Sequence, residues 1–327
     1  MSGEVEPASE LTPELHAFVE FVAKKGRELY RDLPWRRTYD PYAIWISEVM
    51  LQQTQVSRVD GRWQRWLERF PTVDALAAAA PSDVLEEWQG LGYNRRALSV
   101  HRAAQAISEA GGVFPQDPKE LVKLPGIGPA TAAGICAFAF NLHGVYLETN
   151  VRTVFLHELY PQAEGVPDSE LVPLVELTCP ASVEDAGNAD GTAGADTAVD
   201  TAANAADADS TENDATAELT PRSWYYALLD YGAYLKKTIP NPSRRSKSHV
   251  KQSRFEGSHR QKRAELLRVL LAHKDEGGAV FETLHQELCQ IEVNAGRETL
   301  DEQVTLGLLE ELAKEGFCQK NDEYWLP

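Results

Sequence analysis

Several things are scarce in this 327-residue chain, and each scarcity removes a class of protein. No uninterrupted apolar run approaches the roughly 18–20 residues needed to cross a bilayer, so no membrane span is expected. The first eleven residues are polar and acidic, without the basic-then-apolar pattern of a secretory leader, so the cytoplasm is the expected compartment. The four cysteines, Cys136, Cys179, Cys289 and Cys318, stand far apart in sequence. They predict neither a disulfide framework nor a metal cluster, and read as small buried hydrophobes. Alternating β-branched stretches are rare, which argues against a large sheet. Lysine and arginine are also short, 32 against 50 acidic residues, giving a net charge of −18.

That charge is unevenly spread. Residues 181–220 are mostly Ala, Asp, Thr and Glu, contain no Lys or Arg, and hold ten of the acidic side chains; the rest of the chain stands at −8. A tract of this composition cannot bury a core and is expected to be a disordered insertion. The residual acidity predicts a surface suited to concentrated salt. There, phosphate contacts weaken steeply, and stacking and insertion carry more of any grip on DNA. With 43% hydrophobic and 25% charged residues, the remainder is ordinary globular protein.

Helix signals are dense from residue 13 to 180. Thr12 followed by Pro13 is an N-cap and first-turn pair opening a helix to about residue 30. Further helices are predicted over 41–59, 62–70, 82–89, 95–110, 118–124, 129–141 and 150–160, separated by Gly- and Pro-containing turns. Helical pattern returns over 221–237, with Trp224, Tyr225, Leu228, Leu229 and Tyr231 as apolar anchors. A basic segment follows, carrying Arg244, Arg245, Lys247, Lys251, Arg254, Arg260, Lys262 and Arg263. It is either a solvated linker or a contact to a nucleic-acid backbone. The last stretch reads as helices over 260–273, 281–288 and 300–315, then a short β end over 317–326. This order suggests a winged-helix-like module, serving DNA or protein packing.

Three segments carry chemistry. In Leu124-Pro125-Gly126-Ile127-Gly128-Pro129-Ala130-Thr131-Ala132, two glycines one residue apart permit a tight turn with φ > 0 and close approach of a partner. The helix after the turn offers N–H groups to a phosphate. Upstream, Trp45-Ile46-Ser47-Glu48-Val49-Met50-Leu51-Gln52-Gln53-Thr54-Gln55-Val56 places Ile44, Glu48, Leu51, Gln52 and Gln55 on one face if the helix runs through. A carboxyl among apolar neighbours stays protonated and can act as a general acid, and glutamines beside it can read a base edge. Third, Glu148 precedes a helix for which Thr149 or Asn150 is a natural N-cap, and the helix dipole favours its ionised form. Taken singly, these segments also fit a plain helix–helix turn, a surface glutamate and helix-end electrostatics. Together, one protonated and one ionised carboxyl form the pair that breaks a glycosidic bond through a cationic sugar.

These segments resemble the adenine DNA glycosylase (MutY-like) branch of the helix-hairpin-helix glycosylases, close to endonuclease III. The resemblance runs from about residue 33 to 160 and resumes over 224–236. It includes Leu33-Pro34-Trp35-Arg36, Asp40-Pro41-Tyr42, the Ser47–Val56 segment, Phe70-Pro71-Thr72, Gly90-Leu91-Gly92-Tyr93, the hairpin and Asn150-Val151-Arg152. It implies that Glu48 protonates adenine and that Leu51, Gln52, Gln53 and Thr54 read the minor groove. Gln53 would then be the wedge beside the flipped nucleotide. It implies Glu148 in place of the family's catalytic aspartate, one methylene longer. Ala130 stands where bifunctional relatives carry a Schiff-base lysine, so base removal without strand cleavage is expected.

Asn94 replaces the second aromatic of the family's Gly-Leu-Gly-Tyr-Tyr. The four-cysteine run of the iron–sulfur cluster is missing, so no cofactor is expected. The basic segment after Leu229-Asp230-Tyr231-Gly232 is the candidate replacement for the cluster loop as a phosphate contact. The C-terminus does not resemble the Nudix-like domain that recognises oxidised guanine.

The expected architecture is therefore all-α. A two-lobed helix-hairpin-helix glycosylase core spans 1–180 and 221–240, with the insertion at 181–220, a basic linker at 241–259 and the winged-helix-like module at 260–327. The expected protein is a monomer acting on double-stranded DNA. Its predicted DNA contacts are Leu51, Gln52, Gln53, Thr54, Tyr93, Gly126, Gly128, Thr131, Arg244 and Arg245. Excision of another mismatched or damaged base, or DNA binding without catalysis, remains open on the sequence.

Overall fold

In the computed structural model, residues 11–182, 218–248 and 254–327 are described; the acidic tract predicted as a disordered insertion falls almost wholly outside them. In chain order the helices are α1 (Pro13–Glu28), α2 (Pro41–Leu51), α3 (Val56–Val59), α4 (Arg62–Arg69), α5 (Val73–Ala78), α6 (Pro81–Trp88), α7 (Arg95–Glu109) and α8 (Pro118–Leu121). They continue as α9 (Pro129–Phe140), α10 (Thr149–Glu158), α11 (Asp168–Thr178), α12 (Pro221–Thr238), α13 (His259–Ala272), α14 (Phe281–Asn294) and α15 (Glu302–Glu315). The strands are β1 (Ala279–Val280), β2 (Gln319–Asn321) and β3 (Tyr324–Leu326). No helix of the described residues is long and apolar enough to cross a membrane.

Local chemistry sets several boundaries. Thr12 caps α1 by accepting from Leu15 N–H, and Thr220 caps α12 from Ser223 N–H, each before a proline at the first helical position. The helix expected over 41–59 is broken: α2 ends at Leu51 and α3 begins at Val56. Gln53 between them adopts φ +53°, which ends the helical ladder, so Gln52 and Gln55 do not continue the face carrying Glu48. The periodicity of the segment runs on through a turn that only the backbone angle reveals. Helices α5 and α11 were not anticipated, α11 because Pro173 lies inside it.

The chain divides into two units. The first comprises Met1–Glu48, Pro115–Val122 and Ile127–Val250. Its core is aromatic: Phe18 meets Phe155 and Trp224 edge-on at 5.1 and 6.1 Å. Helices α10 and α12 touch so closely that a Cβ on Gly232 would lie 2.3 Å from the Asn150 carbonyl oxygen. A buried ion pair ties α12 to the turn after α1. Arg36 donates to Asp230 through Nη1 and Nη2 at 2.7 and 2.8 Å, with Arg31 on the same carboxylate. Removing one partner from such a pair strands a charge and costs about 3–5 kcal/mol.

The second unit comprises Val49–Phe114, Lys123–Gly126 and Lys251–Pro327. Trp66 packs edge-on against Phe70 and Trp88 at 5.0 and 5.5 Å. Its C-terminal segment follows the order α13, β1, α14, α15, β2, β3, with an antiparallel sheet ordered β1-β3-β2. The expected three helices and terminal hairpin are present; β1, only two residues long, was not foreseen. Ion pairs fasten this segment to α6 and α7. Lys274 binds Asp83 and Glu86 at 2.5 and 2.9 Å, and Glu315 joins Arg95 to Arg263 at 2.6 and 2.8 Å.

Candidate active site and DNA-reading elements

Glu48 lies on α2, near its C-terminal end, and Glu148 immediately precedes α10. The Tyr146 hydroxyl donates to Glu48 Oε2 at 2.8 Å, and Tyr146 itself is buried. Behind it, the Tyr225 hydroxyl accepts from Tyr146 N–H at 3.1 Å and donates to the Gly144 carbonyl. Opposite Tyr146, α9 supplies Gly134, where a Cβ would lie 2.6 Å from Glu48 Oε2 and 2.9 Å from the Tyr146 ring. Only a glycine lets α9 pass so close to the carboxyl. Neither Tyr146 nor Gly134 was marked by the sequence reading. Each lies in or beside a run of helix or loop with no motif of its own.

Both acids retain some access to solvent, yet each is surrounded by enough protein to alter its ionisation. Burial pushes the Glu48 carboxyl up to about 7; the Tyr146 hydroxyl pulls it down and the Glu148 charge adds to the rise. Burial and the two glutamates also hold the Tyr146 proton firmly, so that hydroxyl is a donor. The direction of this shift is the one expected for a proton-holding Glu48.

For Glu148 the outcome differs from expectation in two ways. Glu148 is itself the N-cap of α10, where Thr149 or Asn150 was predicted: its Oε1 accepts from Asn150 N–H at 2.5 Å and Val151 N–H at 3.0 Å. Its carboxyl is also raised, not lowered, because burial outweighs the pull of the Val151 N–H, Lys236, the Asn150 N–H and Arg152. The two acids remain unequal. Glu48 has one group favouring its anion, and Glu148 has four. Lys236 is fixed there by donating to Asn150 Oδ1 at 2.9 Å.

The predicted reading residues occupy a short turn. Leu51 is the last residue of α2 and half-buried, Gln52 and Thr54 are half-buried, and Gln53 is exposed at its left-handed position. Arg96 of α7, missed by the sequence reading, pins this turn. Its Nη1 donates to the Val49, Met50 and Gln52 carbonyls at 2.7, 3.3 and 2.6 Å. Its Nη2 donates to Thr54 Oγ1 at 3.2 Å and to the Leu91 and Gly92 carbonyls at 3.1 and 2.9 Å. One guanidinium thus caps the end of α2, closes the glutamine turn and ties it to the Gly-Leu-Gly-Tyr turn. Thr54 is engaged in this internal network. Tyr93 follows at φ +49° and is 40% exposed, with Arg96 over its ring at 5.5 Å.

In the hairpin, Gly126 has φ +76° as expected, and a Cβ there would meet the Ser99 side chain at 2.5 Å. Gly128 does not need left-handed freedom: it is the extended N-cap of α9 at φ −87°, facing open space. Thr131, expected among the DNA contacts, has a buried side chain. In the basic segment, Arg244 and Lys247 are exposed. Arg245 is a correction. Its Nη1 and Nη2 donate to the Tyr160 and Leu156 carbonyls at 2.5 and 2.8 Å, closing the C-terminal end of α10 rather than facing a phosphate.

The donor set does not fit an iron–sulfur cluster. Such a cluster takes four cysteine thiolates brought together in space. Here Cys136 and Cys318 are buried thiols donating to the Gln116 and Leu309 carbonyls at 3.3 and 3.8 Å. Among the described residues no group of three or more His, Cys, Asp or Glu side chains could hold a metal ion.

Residues 46–223, more than half of the chain, match the HhH-GPD superfamily of base excision DNA repair proteins, and the chain belongs to that superfamily. Among curated relatives, an adenine DNA glycosylase of Mycolicibacterium smegmatis is 43% identical over 152 residues, 46% of this chain and 52% of that protein. An adenine DNA glycosylase of Mycobacterium tuberculosis is 42% identical over 141 residues, 42% of this chain and 46% of that one. The human adenine DNA glycosylase is 39% identical over 134 residues, 38% of this chain and 24% of the relative. The matched segment thus spans about half the length of these relatives, or less. Among solved structures, a thermostable thymine-DNA glycosylase superimposes with a TM-score of 0.50 at 20% identity, covering 67% of this chain and 86% of that one, a likeness of fold.

Proposed function

We propose that this protein hydrolyses the N-glycosidic bond of an adenine flipped out of duplex DNA, where that adenine is paired with guanine or 8-oxoguanine. The observation that carries the reading is the unequal acid pair: Glu48 raised to about 7, in electrostatic range of Glu148 at the N-terminus of α10. Glu48 donates its proton to a ring nitrogen of the departing base, so the base leaves neutral. Tyr146 orients the carboxyl and stabilises the glutamate left behind. Glu148, held by two backbone N–H groups, supplies the negative charge that stabilises the cationic sugar and directs water to its anomeric carbon. The turn 51–54 follows Glu48 on the chain and enters the minor groove, with the exposed Gln53 as the wedge.

Gly126 and Gly128 let a phosphate approach the start of α9, whose first N–H groups receive it, Thr131 included through its backbone. Arg244 adds a phosphate contact, while Leu51, Gln52, Thr54 and Tyr93 shape the surface against the bases. The C-terminal segment is a winged-helix-like module. No cofactor is assigned, and the acidic composition suits a protein working in concentrated salt. With Ala130 at the hairpin, the product is an abasic site rather than a cut strand. Glu48→Gln and Glu148→Gln are each expected to bind duplex normally and to lose excision by about 10²–10⁴-fold, the usual contribution of a positioned acid or base. Wild-type turnover in both would remove this mechanism.

A further inference from the structure

Two side chains upstream of and within α13 play no part in the chemistry above. Phe255 is 49% exposed, and Arg260 lies over its ring with Cζ 5.5 Å from the centroid. The same guanidinium stands 6.0 Å from the ring centroid of Tyr93, which is 40% exposed. Exposed rings held against guanidinium groups are how single-stranded nucleic-acid surfaces receive bases, because every base offers a flat face. Position favours a base over another partner. Arg96 touches the Tyr93 ring and also donates to the Gln52 carbonyl and Thr54 Oγ1, so the ring is tied to the turn that follows the acid helix. Charge agrees: in a chain of net charge −18, two guanidiniums gather here. Stacking also releases few counterions, so it persists in salt that weakens phosphate contacts.

We propose that Phe255 and Arg260 extend the DNA-facing Tyr93 ring into a stacking platform for the base left unpaired when its partner is flipped out. The C-terminal module thereby supplies part of the grip on damaged duplex. This rests on the DNA-repair reading above, and the test separates the two. The probe is a duplex carrying a tetrahydrofuran abasic analogue opposite 2-aminopurine, with a second duplex bearing 2-aminopurine several pairs away. Full-length protein is titrated into each. The wild type should quench the unpaired 2-aminopurine and leave the distant one unchanged. Phe255→Ala and Arg260→Gln should each lose at least half of that quenching and weaken binding by about fivefold or more, and Phe255→Trp should restore both.

Thermal melts confirm that each variant is folded; Phe255→Leu replaces Phe255→Ala, and Arg260→Met replaces Arg260→Gln, where either is not. Wild-type quenching in Phe255→Ala (or Phe255→Leu) and in Arg260→Gln (or Arg260→Met) would overturn the platform, as would equal quenching of both probes or none by the wild type. Excision on adenine duplexes is scored alongside. If the variants lose quenching but wild-type protein excises nothing, the platform stands and the glycosylase reading falls. If excision is present and quenching is indifferent to the variants, the reverse holds.

Discussion

In the proposed reaction the proton donor is one carboxyl whose ionisation is set by its surroundings. Glu48 is raised from an ordinary value of 4.5 to about 7, so the proton that the reaction needs is held below that pH and lost above it. Single-turnover excision should therefore fall as pH rises through about 7, and fall again on the acid side as Glu148 takes up a proton. Tyr146 stabilises the Glu48 anion, so Tyr146→Phe should raise the Glu48 pKa further and move the falling limb to higher pH. A limb that stayed in place or moved down would contradict the assignment. The same shift bears on stability. A carboxyl raised on folding contributes stability that is complete below 4.5 and is lost as pH rises through 7. Melting temperatures should show Glu48→Gln gaining on the wild type between pH 5 and pH 8, and a constant difference would refute this. The candidate acids were legible in the sequence because each sits in a recognisable run. Tyr146 was not, since it reaches Glu48 across 98 positions and its loop has no pattern of its own.

At the scale of elements, most helices were legible because their caps and prolines are local signals, as at Thr12-Pro13 and Thr220-Pro221. The break after Leu51 was not, because Gln52, Gln53 and Gln55 are acceptable helix formers and nothing local forces Gln53 to φ +53°. What holds that turn is Arg96, more than forty positions away from the carbonyls of Val49, Met50 and Gln52. Arg245 shows the same limit: a run of basic residues looks like a DNA contact, yet this one closes α10. Arg245→Ala should lower the unfolding free energy by about 1–3 kcal/mol, the usual cost of stranding carbonyl acceptors, here two part-buried ones. Arg245→Lys should recover only part, because an ammonium cannot serve two carbonyls in a fixed fork. Denaturant unfolding with unchanged midpoints in both variants would show that the clamp carries no stability.

For the whole molecule, an excess of 18 negative charges opposes compaction through self-repulsion, and salt screens it within about 10 Å at 0.1 M and 3 Å at 1 M. The melting temperature should climb from dilute buffer to molar potassium chloride, and a flat or falling curve would argue against the charge balance having this role. The helical class and the order of the C-terminal helices and hairpin could be read from the sequence, but the two-residue β1 could not. The ion pairs from Lys274 to α6 and from Glu315 to Arg95 could not, because paired charges far apart in sequence look like ordinary surface residues. Removal of adenine, as proposed above, can be read in one assay. It is tested most directly by single-turnover excision at low and molar salt, with abasic sites revealed by alkali. The duplexes carry adenine opposite 8-oxoguanine or guanine, and uracil, thymine, hydroxyuracil or hypoxanthine as competitors. Adenine should be excised first, with intact strands until alkali is added. Preference for another base would contradict the adenine assignment, and no excision from any duplex would contradict the glycosylase itself.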